Sequence, residues 1–181
     1  MNDLLLLANL LGGPLHGYAL KKRAGLITGN PAMHNNVVYP LLRRFVREGW
    51  VRQKKAAGQR GQTRVVYSLA PTGRAELVRR LSEFGEAEAR SADEFQLRVG
   101  LFGFLAPAAR EEILAGRKRY LMQHKEHLAW LQKEMELGQY GGDVVRFLRG
   151  QTRGELAWVE HLERMSAAGK SERGRRRREL R

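Results

Sequence analysis

Apolar positions recur with the 3.6-residue period of helices over most of the chain and with a period near 2 in one short stretch. Residues 3–11 (Asp3-Leu-Leu-Leu-Leu-Ala-Asn-Leu-Leu11) are predicted as a short buried helix with Asp3 as N-cap, stopped by Gly12-Gly13-Pro14. A second helix is expected from His16 to Ile27, with Tyr18, Leu20 and Ala24 inside and Lys21, Lys22 and Arg23 outside. The turn formers Gly29-Asn30-Pro31 end it.

The third predicted helix, residues 35–48, is the best defined. Val38, Leu41, Leu42, Phe45 and Val46 fall at the i, i+3, i+4, i+7, i+8 spacing of one buried face, while Asn36, Tyr39, Arg43, Arg44 and Arg47 occupy the other. Gly49 supplies the C-cap. Pro40 lies past the first turn, where a proline forfeits a backbone hydrogen bond, so an irregular or late helix start is expected. From Trp50 the period shortens. Trp50 to Lys55 and Arg64 to Leu69 are predicted as strands, joined by a glycine-rich hairpin tip that carries Arg60. Pro71-Thr72-Gly73-Arg74 then opens a helix that runs to about Phe84.

The remainder is predicted as helix over roughly 93–103, 108–137 and 143–167, punctuated by Pro107, Gly138 and Gly141-Gly142. Leu114, Leu121, Leu128, Leu131 and Met135 follow a heptad-like stripe on which Arg117 and His124 also fall. Two long helices joined by a glycine loop cannot bury both faces alone, and the surplus invites a second copy of the chain. Leu148, Val159 and Leu162 of the last helix complete that expected dimer interface. Residues 170–181 lack an apolar period and are expected to be disordered. The domain organisation read from these patterns is 1–86, a winged helix; 87–168, a helical dimerisation domain; and 169–181, a basic tail. The fold class is mainly α with a small β-hairpin wing.

Charge sharpens this division. The chain carries a formal net charge of +14. Residues 1–81 hold 14 Lys/Arg against 3 acids, residues 170–181 hold 7 against 2, and the middle holds 12 against 14. A basic N-terminal half seeks a polyanion. The chain has no cysteine, which removes disulfides, thiolate zinc sites and thiol nucleophiles. The leucine run at the start lacks a basic n-region, and no apolar stretch approaches the roughly 20 residues of a membrane span, so a cytoplasmic protein with no membrane partner is expected.

A helix that reads DNA shows a polar convex face to a groove about 12 Å wide while its opposite face stays packed. Residues 35–48 meet that description. His34, Asn35 and Asn36 stand where base edges would be read, and an Asn amide pairs bidentately with adenine. Tyr39, Arg43, Arg44 and Arg47 suit phosphates or a guanine edge. Lys54, Lys55, Arg60 and Arg64 of the wing, with Arg74 beyond it, suit the flanking backbone. The competing reading makes His34 or Asn35 a helix cap and the arginines a solvated face.

The ordered set Leu11-Gly-Gly-Pro-Leu-His-Gly-Tyr-Ala-Leu20, Tyr39-Pro-Leu-Leu-Arg-Arg44, Glu48-Gly-Trp-Val51, Tyr67-Ser-Leu69 and Thr72-Gly-Arg74 resembles the PadR-like transcriptional regulators over residues 4–81. The helical remainder is similar to the longer C-terminal domain of the virulence-activator type. The resemblance implies a symmetric dimer held by C-terminal helices, a palindromic operator, and often a repressor released by a small ligand. The chain departs from the family at His34-Asn35-Asn36-Val37, where members usually carry a Ser and a small residue, and at Ala70, where a Thr is common, which moves the expected cap of the following helix to Thr72.

No phosphate loop, nucleophile elbow or carboxylate cluster suggests catalysis, so no enzyme, cofactor or metal is expected. His124 and His127 stand at i, i+3 without a third ligand. Tyr120, Trp130, Phe147 and Trp158 are candidates for a pocket that takes a planar effector, against the plainer reading of core or interface packing. A nonspecific nucleic-acid protein, RNA-binding or architectural, is the rival class.

Overall fold

A computed structural model describes the backbone of residues 1–28, 34–57 and 63–179. It divides into two compact units: Met1–Glu83 with Leu97–Phe104, and Phe84–Gln96 with Leu105–Arg181.

The first unit opens with α1 (Asn2–Asn9), whose Leu4, Leu5, Leu6 and Leu7 are all buried. Four consecutive leucines bury together only when a helix is packed on every side, so this run is the centre of a core. Asn9, also buried, is satisfied locally by donating to the Leu5 carbonyl at 2.8 Å. Asp3 does not cap the helix. Met1 holds the N-cap position, and Asp3 in the first turn reaches across to other helices. A single 3₁₀ turn (Leu10–Gly12) and Gly13, at φ 120°, redirect the chain as the glycines foretold.

Next come β1 (Leu15–His16), α2 (Gly17–Thr28), α3 (Asn35–Arg47), β2 (Val51–Ala57), β3 (Thr63–Leu69) and α4 (Pro71–Ser82). The three strands form an antiparallel sheet in the order β1-β3-β2. The hairpin was expected, but β1 was not. A two-residue strand shows no period, and it exists because Leu15 and His16 pair with Tyr67 and Val66 of β3. Tyr18, expected inside α2, is 69% exposed, whereas Leu20 is fully buried.

Helix α3 buries Val38, Leu42 and Phe45, with Leu41 and Val46 half-buried at the margin of the stripe. It does not start late. Pro40 sits inside a regular helix from Asn35 onward, and the turn it weakens lies on the exposed side, where water can take the orphaned carbonyl. The helix ends at Glu48 as C-cap, followed by Gly49 at φ 72°. The Trp50 amide bonds back to Phe45 O at 2.9 Å, and Trp50 O accepts from Ala70 N at 2.9 Å. Thr72 does not cap α4, since its hydroxyl donates to Gly49 O at 2.7 Å. A Cβ on Gly73 would lie 2.0 Å from Trp50 O. The Thr72-Gly73 pair therefore clamps α4 onto the junction between α3 and the wing.

The second unit contains α5 (Glu86–Arg90), the start of α6 (Ala92–Gly100), α7 (Pro107–Glu134) and α8 (Gln139–Glu179). The bend between the two long helices falls at residues 135–138, before Gly141-Gly142, which lie inside α8. The backbone of residues 170–179 continues α8 and does not form the disordered end read from composition. No proline interrupts this run, and arginine and glutamate are good helix formers. Among the described residues no helix is long and apolar enough to cross a membrane.

Packing of α7 on α8 consumes the heptad-like stripe. Leu114, Leu121, Leu128 and Val159 are buried inside one chain, while Leu131, Leu148 and Leu162 are half-buried and Met135 is exposed. Arg117 lies on the same seam, 3% exposed, and is paired bidentately with Glu155 at 2.8 Å to each oxygen. It also donates to Ala89 O, which satisfies a charge that would otherwise be costly to bury. The stripe read as a dimer interface is in large part an intramolecular core.

Candidate nucleic-acid interface

The buried stripe of α3 fixes what its other face presents. Asn35, Asn36, Tyr39, Pro40, Arg43 and Arg47 are exposed, and they follow one another around a single side of the helix. His34 occupies the N-cap position with extended backbone, and its carbonyl accepts from Val37 N and Val38 N at 2.9 and 3.2 Å. No side chain caps the helix. The His34 and Asn35 side chains are exposed at its start, so His34 caps the helix through its backbone alone and Asn35 is the first helical residue. Among the described residues Arg47 pairs with Glu48 alone, at 3.5 Å, with most of its surface in solvent.

Arg44 belongs to a different group. Its guanidinium donates to Asp3, which also accepts from Arg80 at 2.9 Å, and it lies 5.3 Å over the Phe45 ring. Arg80 in turn covers the Trp50 ring at 4.8 Å and donates to Glu76 at 2.6 Å. This cluster ties α1, α3 and α4 together. The helical period placed Arg44 on the polar face, but at the margin of that face a long side chain reaches sideways to a carboxylate, and Asp3 provides one.

On the wing, Lys54 and Lys55 of β2 and Arg64 of β3 are exposed, with Lys54 opposite Val66 and Arg64 opposite Ala56. Arg60 lies outside the described residues. Arg52, not singled out from the sequence, is exposed on the same strand as the two lysines. Arg74 is not gathered with these groups. It lies 5.6 Å over the Phe104 ring and lines a separate groove with Leu11, Pro14 and Pro71.

Sequence reasoning also missed three residues near α3. His16, Tyr18 and Tyr67 line a cleft with Tyr39 and Arg64. Burial raises the Tyr67 phenol above its ordinary range, the neighbouring Tyr39 adds to this and Arg43 opposes it. The odd placement of a large aromatic on the first turn of α2 was the available signal, and periodicity misassigned it to the core.

The four aromatics expected to form a pocket do not converge. Trp158 meets Phe95 edge-on at 5.5 Å, Trp130 is half exposed and stacked on His127, and Phe147 is 63% exposed. Tyr120 stacks on His124 at 5.7 Å and lines a cavity of about 490 Å³ with Phe84, Arg90 and Arg119. Among the described residues no group of three or more His, Asp or Glu side chains is placed to hold a metal ion.

The model of the transcriptional regulator PadR-like family matches residues 5–79, the stretch that forms α1 through most of α4. Residues 5–79 belong to the PadR-like family of transcriptional regulators. Its fold is a winged helix followed by a helical region. Among solved structures, a PadR family transcriptional regulator from Eggerthella lenta is 31% identical over 41% of this chain and 63% of its own, with a TM-score of 0.37. A protein from Thermoplasma acidophilum taken to be a transcriptional regulator is 30% identical over 42% of this chain and 72% of its own, with a TM-score of 0.39. PadR from Bacillus subtilis in complex with operator DNA is 17% identical over 90% of this PadR-like chain and 96% of its own, with a TM-score of 0.45. No curated protein matches the chain.

Proposed function

We propose that this PadR-like chain binds double-stranded DNA as a homodimer and represses transcription at a palindromic operator, with α3 in the major groove and the β2–β3 wing on the flanking backbone. The observation that carries this reading is the division of α3: Val38, Leu42 and Phe45 are buried, while Asn35, Asn36, Tyr39, Arg43 and Arg47 face solvent together. The exposed amides are suited to base edges and the arginines to phosphates or guanine. With the α7–α8 seam used internally, a second copy is offered Tyr140, Val144 and Phe147, exposed at i, i+4, i+7 on α8. The cavity beside Tyr120 and His124 is the seat offered to a small aromatic effector.

Selection of bound duplexes from a random pool tests the reading. The expected product is one palindrome whose half-sites lie about one helical turn, roughly 10 base pairs, or a multiple apart. Enrichment of no sequence would favour a nonspecific basic protein.

A further inference from the structure

A cleft of about 580 Å³ lies between the start of α2, α3 and strand β3. It is lined by His16, Gly17, Tyr18, Tyr39, Arg64, Val65 and Tyr67. The three tyrosines come from three different elements, so no local pattern accounts for their meeting. Tyr39 lies flat enough on Gly17 that a Cβ there would approach its ring to 2.9 Å and its hydroxyl to 3.2 Å. Gly17 is therefore needed to seat the ring. Tyr18, which lines the cleft, is 69% exposed, and Tyr39 is 38% exposed.

The chemistry of the lining selects an anion. Three phenols and a guanidinium are donors, His16 adds another, and no carboxylate lines the cleft. Among the described residues none of the three hydroxyls is hydrogen-bonded to the chain. The Tyr67 phenol, raised by burial, stays protonated as a donor. The aromatic walls tolerate a sugar edge beside the anion, and each ring has few torsions to immobilise. The cleft also adjoins the face of α3 that carries Asn36 and Arg43.

We propose that this cleft is a phosphodiester seat, in which the hydroxyls of Tyr18, Tyr39 and Tyr67, with Arg64, hold one DNA backbone phosphate beside the groove that α3 reads. The proposal rests on the DNA-binding reading above. It adds a largely uncharged grip: neutral hydroxyls displace no condensed counterion, so their contribution persists as salt rises, whereas that of Arg64 fades.

The test is fluorescence anisotropy of the full chain on a selected duplex and on a random one, each across about 50 to 200 mM salt. Tyr18→Phe and Tyr67→Phe are expected to lose about tenfold in affinity equally on both duplexes, with the salt slope unchanged. Arg64→Ala should also lose on both, with the slope reduced by about 1. Tyr18 is exposed, so Tyr18→Phe keeps the test sound should Tyr67→Phe lower the melting temperature. Wild-type affinity in Tyr18→Phe overturns the proposal, as does a loss confined to the selected sequence, which would mark a base contact. Failure of the unmodified chain to bind either duplex overturns the DNA reading itself, and the proposal with it.

Discussion

The carboxylate of Asp3, in the first turn of α1, accepts a hydrogen bond from the guanidinium of Arg44 on α3, so the helix read as DNA-facing is tethered from behind by the start of the chain. Arg80 shares the same carboxylate at 2.9 Å. Asp3→Ala leaves two guanidiniums facing each other, and a loss of about 1–2 kcal/mol in unfolding free energy is expected in urea titrations. Arg44→Ala should cost a similar amount. A stability unchanged by either substitution would show the cluster to be a solvated surface group.

Arg43, one position earlier, is exposed and outside that cluster. Arg43→Ala is expected to keep the melting temperature, weaken binding on all sequences and lower the salt slope by about 1. Asn36→Ala should instead narrow the gap between selected and random DNA, by about 1–3 kcal/mol if it pairs with one base. Equal loss on both would assign Asn36 to the backbone.

Gly73 is required by space. A Cβ at 2.0 Å from Trp50 O cannot be absorbed by a side-chain shift, because the obstacle is backbone. Gly73→Ala is expected to destabilise the first unit by about 3 kcal/mol and to reduce DNA affinity through a displaced wing. Full stability in this variant would contradict the packing of α4 on the end of α3.

Leu128 and Phe147 separate core from interface. Leu128 is 2% exposed between α7 and α8, and Phe147 is 63% exposed. Leu128→Asp should unfold the hairpin, at a cost of more than about 4 kcal/mol. Phe147→Asp should preserve helix content by circular dichroism and shift a dimer to a monomer on a sizing column. An unchanged elution volume would place the interface away from this face of α8.

Glu76 gives the fold a defined acid limit. Hydrogen bonds from Arg79, at 2.9 Å to each oxygen, and from Arg80 hold its carboxyl down to about 2. Because the folded value lies below the unfolded one, the contribution is complete above about pH 4.5 and is lost as pH falls toward 2. Glu76→Gln should flatten the fall in stability across that window by about 1 kcal/mol, a figure kept small because Arg79 is largely exposed. A parallel pH profile would remove Glu76 from the acid transition.

Much of the first unit is legible in the sequence. Val38, Leu42 and Phe45 obey a strict helical period, Gly13 and Gly49 mark positive-φ turns, and the glycine-rich segment after Lys55 announces a hairpin. These features are local: each depends on side-chain spacing or on backbone freedom within a few residues. The exposed side of α3 followed from the same period, which is why Asn36, Tyr39, Arg43 and Arg47 stand where expected.

The errors share one cause, a dependence on partners distant in sequence. Arg44 was assigned to solvent because its period faces outward, and Asp3, 41 residues away, drew it in. The helical period places Tyr18 in the core, yet it opens onto a cleft completed by α3 and β3. β1 has no pattern of its own and exists only through pairing with Tyr67 and Val66. The stripe through Leu114, Leu121 and Leu128 was recognisably a packing seam, but its period is the same whether the partner is α8 or a second chain. The sequence by itself determined the winged helix, the polar exposed face of α3 and the basic charge, because spacing, turn chemistry and composition are properties of short segments. Tertiary structure alone decided which arginines of α3 face solvent, which tyrosines meet and which leucines are core, because each depends on what the fold brings within a few ångströms.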